Sequence, residues 1–185
     1  DITEDVLLDH FNNSLSADEY VMNPRVYTEM LTPYKYFFKE ALRNEAESFR
    51  ANPELWVDWC RENITIDGSK NPRRLKMHPE SVWKHRICDV LSRDIFFVAG
   101  ARSVGIPSRI DPVTEKLQYR NGDGEWIDVN FTPEVGKQVK VQETGRLRAT
   151  FKANGKPADP KYYIHFTIAR IEDGKAFVLN YPEED

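Results

Sequence analysis

The side chains with most scope for nucleophilic or acid–base work are two cysteines, Cys60 and Cys88, and four histidines, His10, His78, His85 and His165. A cysteine reacts as its thiolate, and an ordinary thiol ionises only at about pH 8.5. A helix N-terminus or a neighbouring imidazolium lowers that value, and an imidazole then moves the proton. Cys88 is the more suggestive of the two, because His78 and His85 precede it and an apolar run follows. Ser92 is a second possible nucleophile, but its neighbours are Arg93 and Asp94, neither a strong base. Each residue also has a plainer role. Cys88 reads as a small buried hydrophobe and Ser92 as a helix cap. Arg93 with Asp94 reads as a local ion pair worth well under about 1 kcal/mol, or as a polar ligand contact. His165, within "YYIHFTIAR", reads as a structural strand residue, His78 as a loop residue and His10 as a helix-surface residue. Two cysteines make neither a disulfide framework nor a metal site; they read as two buried free thiols, or as a pair if the compartment is oxidising and their Cα atoms lie close enough. No metal and no cofactor is expected.

Those residues need elements to place them. Thr3-Glu4-Asp5 ahead of Val6, Leu7, Leu8 and Phe11 predicts a short capped amphipathic helix. The spacing of Leu31, Tyr34, Phe38, Ala41 and Leu42 predicts a helix over about 27–43, kinked or begun near Pro33. Asn52-Pro53-Glu54 predicts a helix start, the helix running through Trp56, Trp59 and Cys60 to about Asn63. A short extended stretch at 64–66 and a loop through "DGSKNPRR" follow, then a helical or turn-rich segment from His78 through Trp83 and Ile87. A buried helix over 92–104, capped by Ser92 with Asp94 in its first turn, ends at Gly105.

Beyond Ser108 the pattern turns to strands: 109–111, 117–120, 125–131, 139–142, 147–151, 162–171 and 176–181, with turns at "NGDG" and Asp173-Gly174. Helices first and strands after give an α+β class: a helical N-terminal half packed on an antiparallel sheet. A division near 134 separates a core, 1–134, from a small β unit, 135–185, which either belongs to a larger domain or completes the same sheet.

Composition narrows the function classes. With 40% hydrophobic residues the chain suffices for one full domain, or one and part of another. A net charge of −4 with no basic stripe argues against nucleic-acid binding. No apolar run approaches the roughly 20 residues that span a bilayer. A chain opening on Asp1 is expected to be a piece of a longer protein. Trp56, Trp59, Trp83 and Trp126 have the spacing of core residues more than of a sugar platform. Asn12, Asn63 and Asn130 head Asn-x-Ser/Thr triplets that mean little outside a secretory eukaryotic setting.

The helix ending "RSVGIPSRI", followed by a strand pair closing on "GEWIDVNFTP", resembles the transglutaminase-like superfamily over about residues 83–133. That family shows Cys at the helix start, then "GIPAR", "H-x-W" and "W-x-x-x-D-P-T". Arg102, Gly105, Ile106, Pro107, Arg109, Trp126, Thr132 and Pro133 match. The resemblance implies a papain-like α+β core whose Cys, His and Asp perform acyl transfer or amide hydrolysis. Three positions depart from it. Counting back about fifteen residues from Gly105 gives Val90, with Cys88 two residues too early. The histidine is due near Val113, where "DPVTEKLQY" has none, and the triad Asp is Asn130. An amide can orient an imidazole, so Asn130 keeps part of the pattern.

The resemblance therefore implies a catalytically degenerate domain, a binding or structural module of a larger exported bacterial protein, outside the cytoplasm. Its residual cleft would be edged by Ser92, Arg93, Asp94, Tyr119 and Asn130, for a peptide, a saccharide or neighbouring domains. The alternative is an active cysteine hydrolase or acyltransferase with a rearranged triad: Cys88 as nucleophile, His85 or His78 as base.

Overall fold

The structure is a computed structural model that describes residues 2–132, 151–153, 156–158, 161–162, 164–172 and 174–179. The strands expected at 139–142 and most of 147–151, and the acidic tail, lie outside the described residues. The fold class is α+β. Two compact units are distinguished, Asp1–Asp111 with Glu115–Pro133, and Pro112–Thr114 with Glu134–Asp185.

In chain order the first unit holds α1 (Glu4–Asn13), α2 (Glu19–Met22), α3 (Lys35–Ala41), α4 (Ala46–Ala51) and α5 (Glu54–Asn63). Strand β1 (Thr65–Ile66), a 3₁₀ turn (Gly68–Lys70), α6 (Pro79–His85) and β2 (Ile87–Cys88) follow. Then come α7 (Val90–Ser103), β3 (Ser108–Ile110), β4 (Leu117–Arg120) and β5 (Trp126–Asp128).

Helix α7 is the axis of this unit. Ile95, Phe96, Phe97, Val98, Ala99 and Ala101 are all without exposure, so the helix is covered on every side. Full burial of a side chain the size of phenylalanine is worth about 1.5–3 kcal/mol. The Trp56 indole packs so tightly on α7 that a Cβ at Gly100 would stand 2.4 Å from its ring. Its Nε1 donates to the Phe97 carbonyl at 3.0 Å. Gly105, at φ +87°, ends the helix in the left-handed region as its sequence position requires.

Beside α7, β1 and β2 pair in parallel, Thr65 opposite Ile87 and Ile66 opposite Cys88. Strands β3, β4 and β5 form an antiparallel sheet with Ser108 opposite Tyr119 and Tyr119 opposite Ile127. Alternation puts Ser108, Ile110, Leu117 and Tyr119 into the core. The other face carries Arg109, Gln118, Asp128, Arg120 and Trp126.

The helix expected over 27–43 is confined to α3. Glu29 is buried, and its carboxylate accepts the Val26 and Tyr27 amides at 2.8 and 2.7 Å. Those amides are thereby taken out of any helical ladder. Pro33 stands just ahead of α3, whose first turn is capped from α1: Asp9 accepts the Lys35 and Tyr36 amides at 2.7 and 3.0 Å.

The second unit contains β6 (Phe151–Ala153) paired with β7 (Lys156–Ala158), and β8 (Ala169–Glu172) paired with β9 (Lys175–Val178). Gly174, at φ +74°, turns the second hairpin. The strand expected over 162–171 reduces to β8 and a Tyr162–Phe166 bridge, because residues 164 and 165 turn. His165 is exposed in that turn, where Nδ1 accepts the Lys161 amide at 2.9 Å. It is not a strand residue.

Candidate functional site

The start of α7 is where a thiolate would gain from the helix dipole, and the local chain settles who stands there. Asp89 is the N-cap, not Ser92. Its carboxylate accepts the Ser92 amide at 3.0 Å, the Ser92 hydroxyl at 2.9 Å and the Asn71 side-chain amide. Burial works against the ionised Asp89 carboxylate, but these hydrogen bonds outweigh it and hold its pKa below the ordinary value. Val90, the first residue of the helix, is 52% exposed. At the position where the resemblance expects sulfur, the helix shows solvent an isopropyl group.

Cys88 is not on the helix. It sits in β2, is 2% exposed, and belongs to the hydrophobic core. Burial pushes its thiol up to about 12, the negative charges of Asp89 and Asp94 add to this, and Arg93 opposes them. At that value about one thiol in 10⁵ is ionised at pH 7. Among the described residues no imidazole is hydrogen-bonded to it. His78 Nδ1 faces Thr32 Oγ1 at 3.1 Å, and His85, at the last turn of α6, is exposed. Cys60 is also a free buried thiol, with its pKa raised well above normal by burial.

Ser92 has no exposure. Its hydroxyl donates to Asp89 and its oxygen accepts the Met77 amide at 3.1 Å, so it is a fully used structural group with no base beside it. Arg93 and Asp94 bond to one another, Nε and Nη2 donating to the same carboxylate oxygen at 2.9 and 2.8 Å. They are not a surface pair: their side chains are only 17% and 19% exposed, and the Arg93 guanidinium lies 4.0 Å from the Phe131 ring centre. Phe131 in turn meets Phe97 edge-on at 5.8 Å. Burial raises the Asp94 pKa against the opposing pull of Arg93.

The other expected cleft residues are elsewhere. Tyr119 is 5% exposed and donates its hydroxyl to Glu54 on α5 at 2.6 Å. Burial and then the acceptor carboxylate push its pKa upward. Asn130 is exposed, and its side-chain oxygen accepts the Thr132 amide at 2.9 Å in a local turn. Cys88, Ser92, Arg93 and Asp94 thus gather at the start of α7, while Tyr119 and Asn130 spend their hydrogen bonds on Glu54 and Thr132 and His78 faces Thr32. Among the described residues no group of three His, Cys, Asp or Glu is placed to hold a metal ion.

A polar centre that residue types did not announce lies between α1, α2, α3 and the end of α7. His10 is 2% exposed, not on the helix surface as expected. Val6 and His10 form the inward face of α1, while Leu7, Leu8 and Phe11 face out. His10 Nδ1 donates to the Met22 carbonyl at 3.2 Å, and Nε2 is buried without a partner. Its ring meets Tyr34 edge-on at 4.6 Å. Lys35 has no exposure and gives its ammonium to the Val21 carbonyl. Arg102, 3% exposed, donates to the Ser108, Asn23 and Arg25 carbonyls at 2.9, 2.7 and 2.7 Å. Tyr34 donates to the Pro24 carbonyl at 3.1 Å. Burial, then the Lys35 charge, lowers the His10 pKa to about 4; burial, then Arg102, lowers that of Lys35 to about 7. These groups pin the 23–34 segment to the helices by side chain-to-carbonyl bonds across long sequence separations.

No protein-family model matches the chain, and no curated protein and no solved structure is significantly similar to it.

Proposed function

We propose that this chain is a transglutaminase-like domain without catalytic chemistry, a binding or structural module of a larger exported bacterial protein. One observation carries the reading: the sulfur nearest the helix start is a core thiol with its pKa pushed up to about 12 and, among the described residues, no imidazole bonded to it. The exposed first position of α7 belongs to Val90, which cannot attack a carbonyl. Ser92 supports the reading as well, since its hydroxyl already donates to Asp89. What remains of acyl-transfer machinery is a helix end whose Ser92 amide is taken by its own Asp89 cap. A module in this role would offer surface to a peptide, a saccharide or neighbouring domains. No helix among the described residues is long and apolar enough to cross a membrane.

The test is turnover. The chain is assayed with fluorogenic peptide amides and for incorporation of a labelled primary amine, alongside Cys88→Ala. The reading expects both proteins to match buffer. Turnover by the parent chain that disappears in Cys88→Ala would overturn it.

A further inference from the structure

Three observations meet at Arg86, the residue that ends α6. The first is its seat. The guanidinium carbon lies 4.0 Å from the Trp83 ring centre and 4.6 Å from that of Trp59. The two indoles are parallel to within 8° at 5.0 Å. A guanidinium on an aromatic face is attracted by the ring quadrupole and held against the ring.

The second is its lack of a counter-ion. Among the described residues no hydrogen bond or ion pair reaches the Arg86 side chain, and Nη1 is buried with no acceptor. Four other half-buried arginines of the unit have a carboxylate partner: Arg61 with Asp58, Arg93 with Asp94, Arg109 with Asp111 and Arg120 with Asp18; Arg25 and Arg102 instead donate to backbone carbonyls. A buried donor left unmade is costly, more so when charged, and Arg86 differs from those six in having neither a carboxylate nor a carbonyl acceptor among the described residues.

The third is the local charge. Lys84 and His85 precede Arg86, three basic side chains in a row within a chain of net charge −4. Lys84 is already engaged, 3.3 Å from Glu80. The Arg86 guanidinium has no carboxylate partner among the described residues, which suits a single negative charge.

We propose that Arg86, seated on the Trp59–Trp83 stack, receives the carboxylate of a ligand whose flat or apolar body lies along the indoles. A carboxylate is planar and accepts two parallel N–H bonds in the guanidinium plane, which the indoles fix in advance. Its one charge matches the single guanidinium on the indole stack, whereas a phosphate dianion would call for a second cation there. The site lies on α5 and α6 and is independent of whether Cys88 is reactive.

The test uses tryptophan emission and calorimetry at constant ionic strength, with benzoate, its neutral analogue benzamide, and inorganic phosphate as probes. Arg86 has φ +56°, the region glycine prefers, so Arg86→Gly keeps the helix end without strain. Arg86→Gln, which keeps much of the stem, is the second variant. The proposal expects saturable benzoate binding, at least tenfold weaker benzamide and phosphate binding, and a loss of at least tenfold for benzoate in both variants. No saturable benzoate response, benzamide or phosphate equal to benzoate, or unchanged binding in either folded variant would overturn it.

Discussion

Acidifying the protein from pH 7 to pH 4 should weaken the first unit through one side chain, His10. Its imidazole is 2% exposed, and its pKa falls from 6.5 to about 4 on folding because burial and the Lys35 charge oppose the cation. The sign follows from the protons bound in each state. Above 6.5 both states hold a neutral ring; between 6.5 and 4 the unfolded chain takes a proton that the folded one refuses. Stability is therefore complete above the unfolded value and is lost as the pH falls through the folded one. The shift is worth about 3 kcal/mol at about 1.4 kcal/mol per unit.

His10→Phe keeps an aromatic ring against Tyr34 but leaves the Met22 carbonyl without its donor, a cost of about 1 kcal/mol. The variant should be the weaker protein at pH 7 and the stronger by about 2 kcal/mol at pH 4, the two curves crossing at about pH 6. Urea unfolding followed by tryptophan emission at closely spaced pH values measures this. Tyr34, Lys35 and Arg102 stand near the ring in both proteins, so the comparison of parent with variant isolates the imidazole. Parallel curves for parent and variant would refute the assignment of the acid loss to His10.

Other outcomes follow from the same packing. Lys35, lowered by burial to about 7, should make stability rise with pH from about 7 to about 10.5, and Lys35→Met should flatten that rise in alkaline urea titrations. Gly100→Ala should cost about 1–3 kcal/mol, because its Cβ would stand 2.4 Å from the Trp56 ring; a melting temperature equal to the parent's would contradict the packing. Asp89→Ala removes the α7 cap and should cost about 1–2 kcal/mol at pH 7. Because the carboxylate's pKa is lowered on folding, that difference should vanish as the pH falls below the ordinary carboxylate range, as urea midpoints at pH 7 and pH 2 would register.

Local signals were readable in the sequence wherever one residue decides the geometry. Gly105 ends α7 in the left-handed region, Pro79 begins α6, and Thr3 caps α1. The α7 start was displaced by three residues because Asp89 and Ser92 are both good caps, and only the Asn71 and Met77 bonds show which one faces the backbone. The 27–43 helix failed for a non-local reason. Its apolar spacing is real, but Glu29 and Arg102 claim the segment's polar groups, and Arg102 lies more than seventy residues away. His10 and Lys35 were hidden for the same cause. A buried lysine is rare enough to be read as surface, and its partner, the Val21 carbonyl, leaves no trace in residue type. Of the expected cleft, Ser92, Arg93 and Asp94 do gather with Cys88, because one helix turn carries three of them. Tyr119 and Asn130 depend on which sheet face and which turn they occupy, and their hydrogen bonds go to Glu54 and Thr132.

The central claim is that Cys88 is a core thiol and not a nucleophile, and its alkylation rate tests this most directly. Native protein is treated with iodoacetamide from pH 5 to pH 9, and labelling of Cys88 and Cys60 is resolved by peptide mass spectrometry. With a thiol at about 12, Cys88 should label far more slowly than free cysteine at every pH and show no inflection in that range. Rapid labelling with an inflection below pH 7 would mean a stabilised thiolate, and the account of a non-catalytic domain would be wrong.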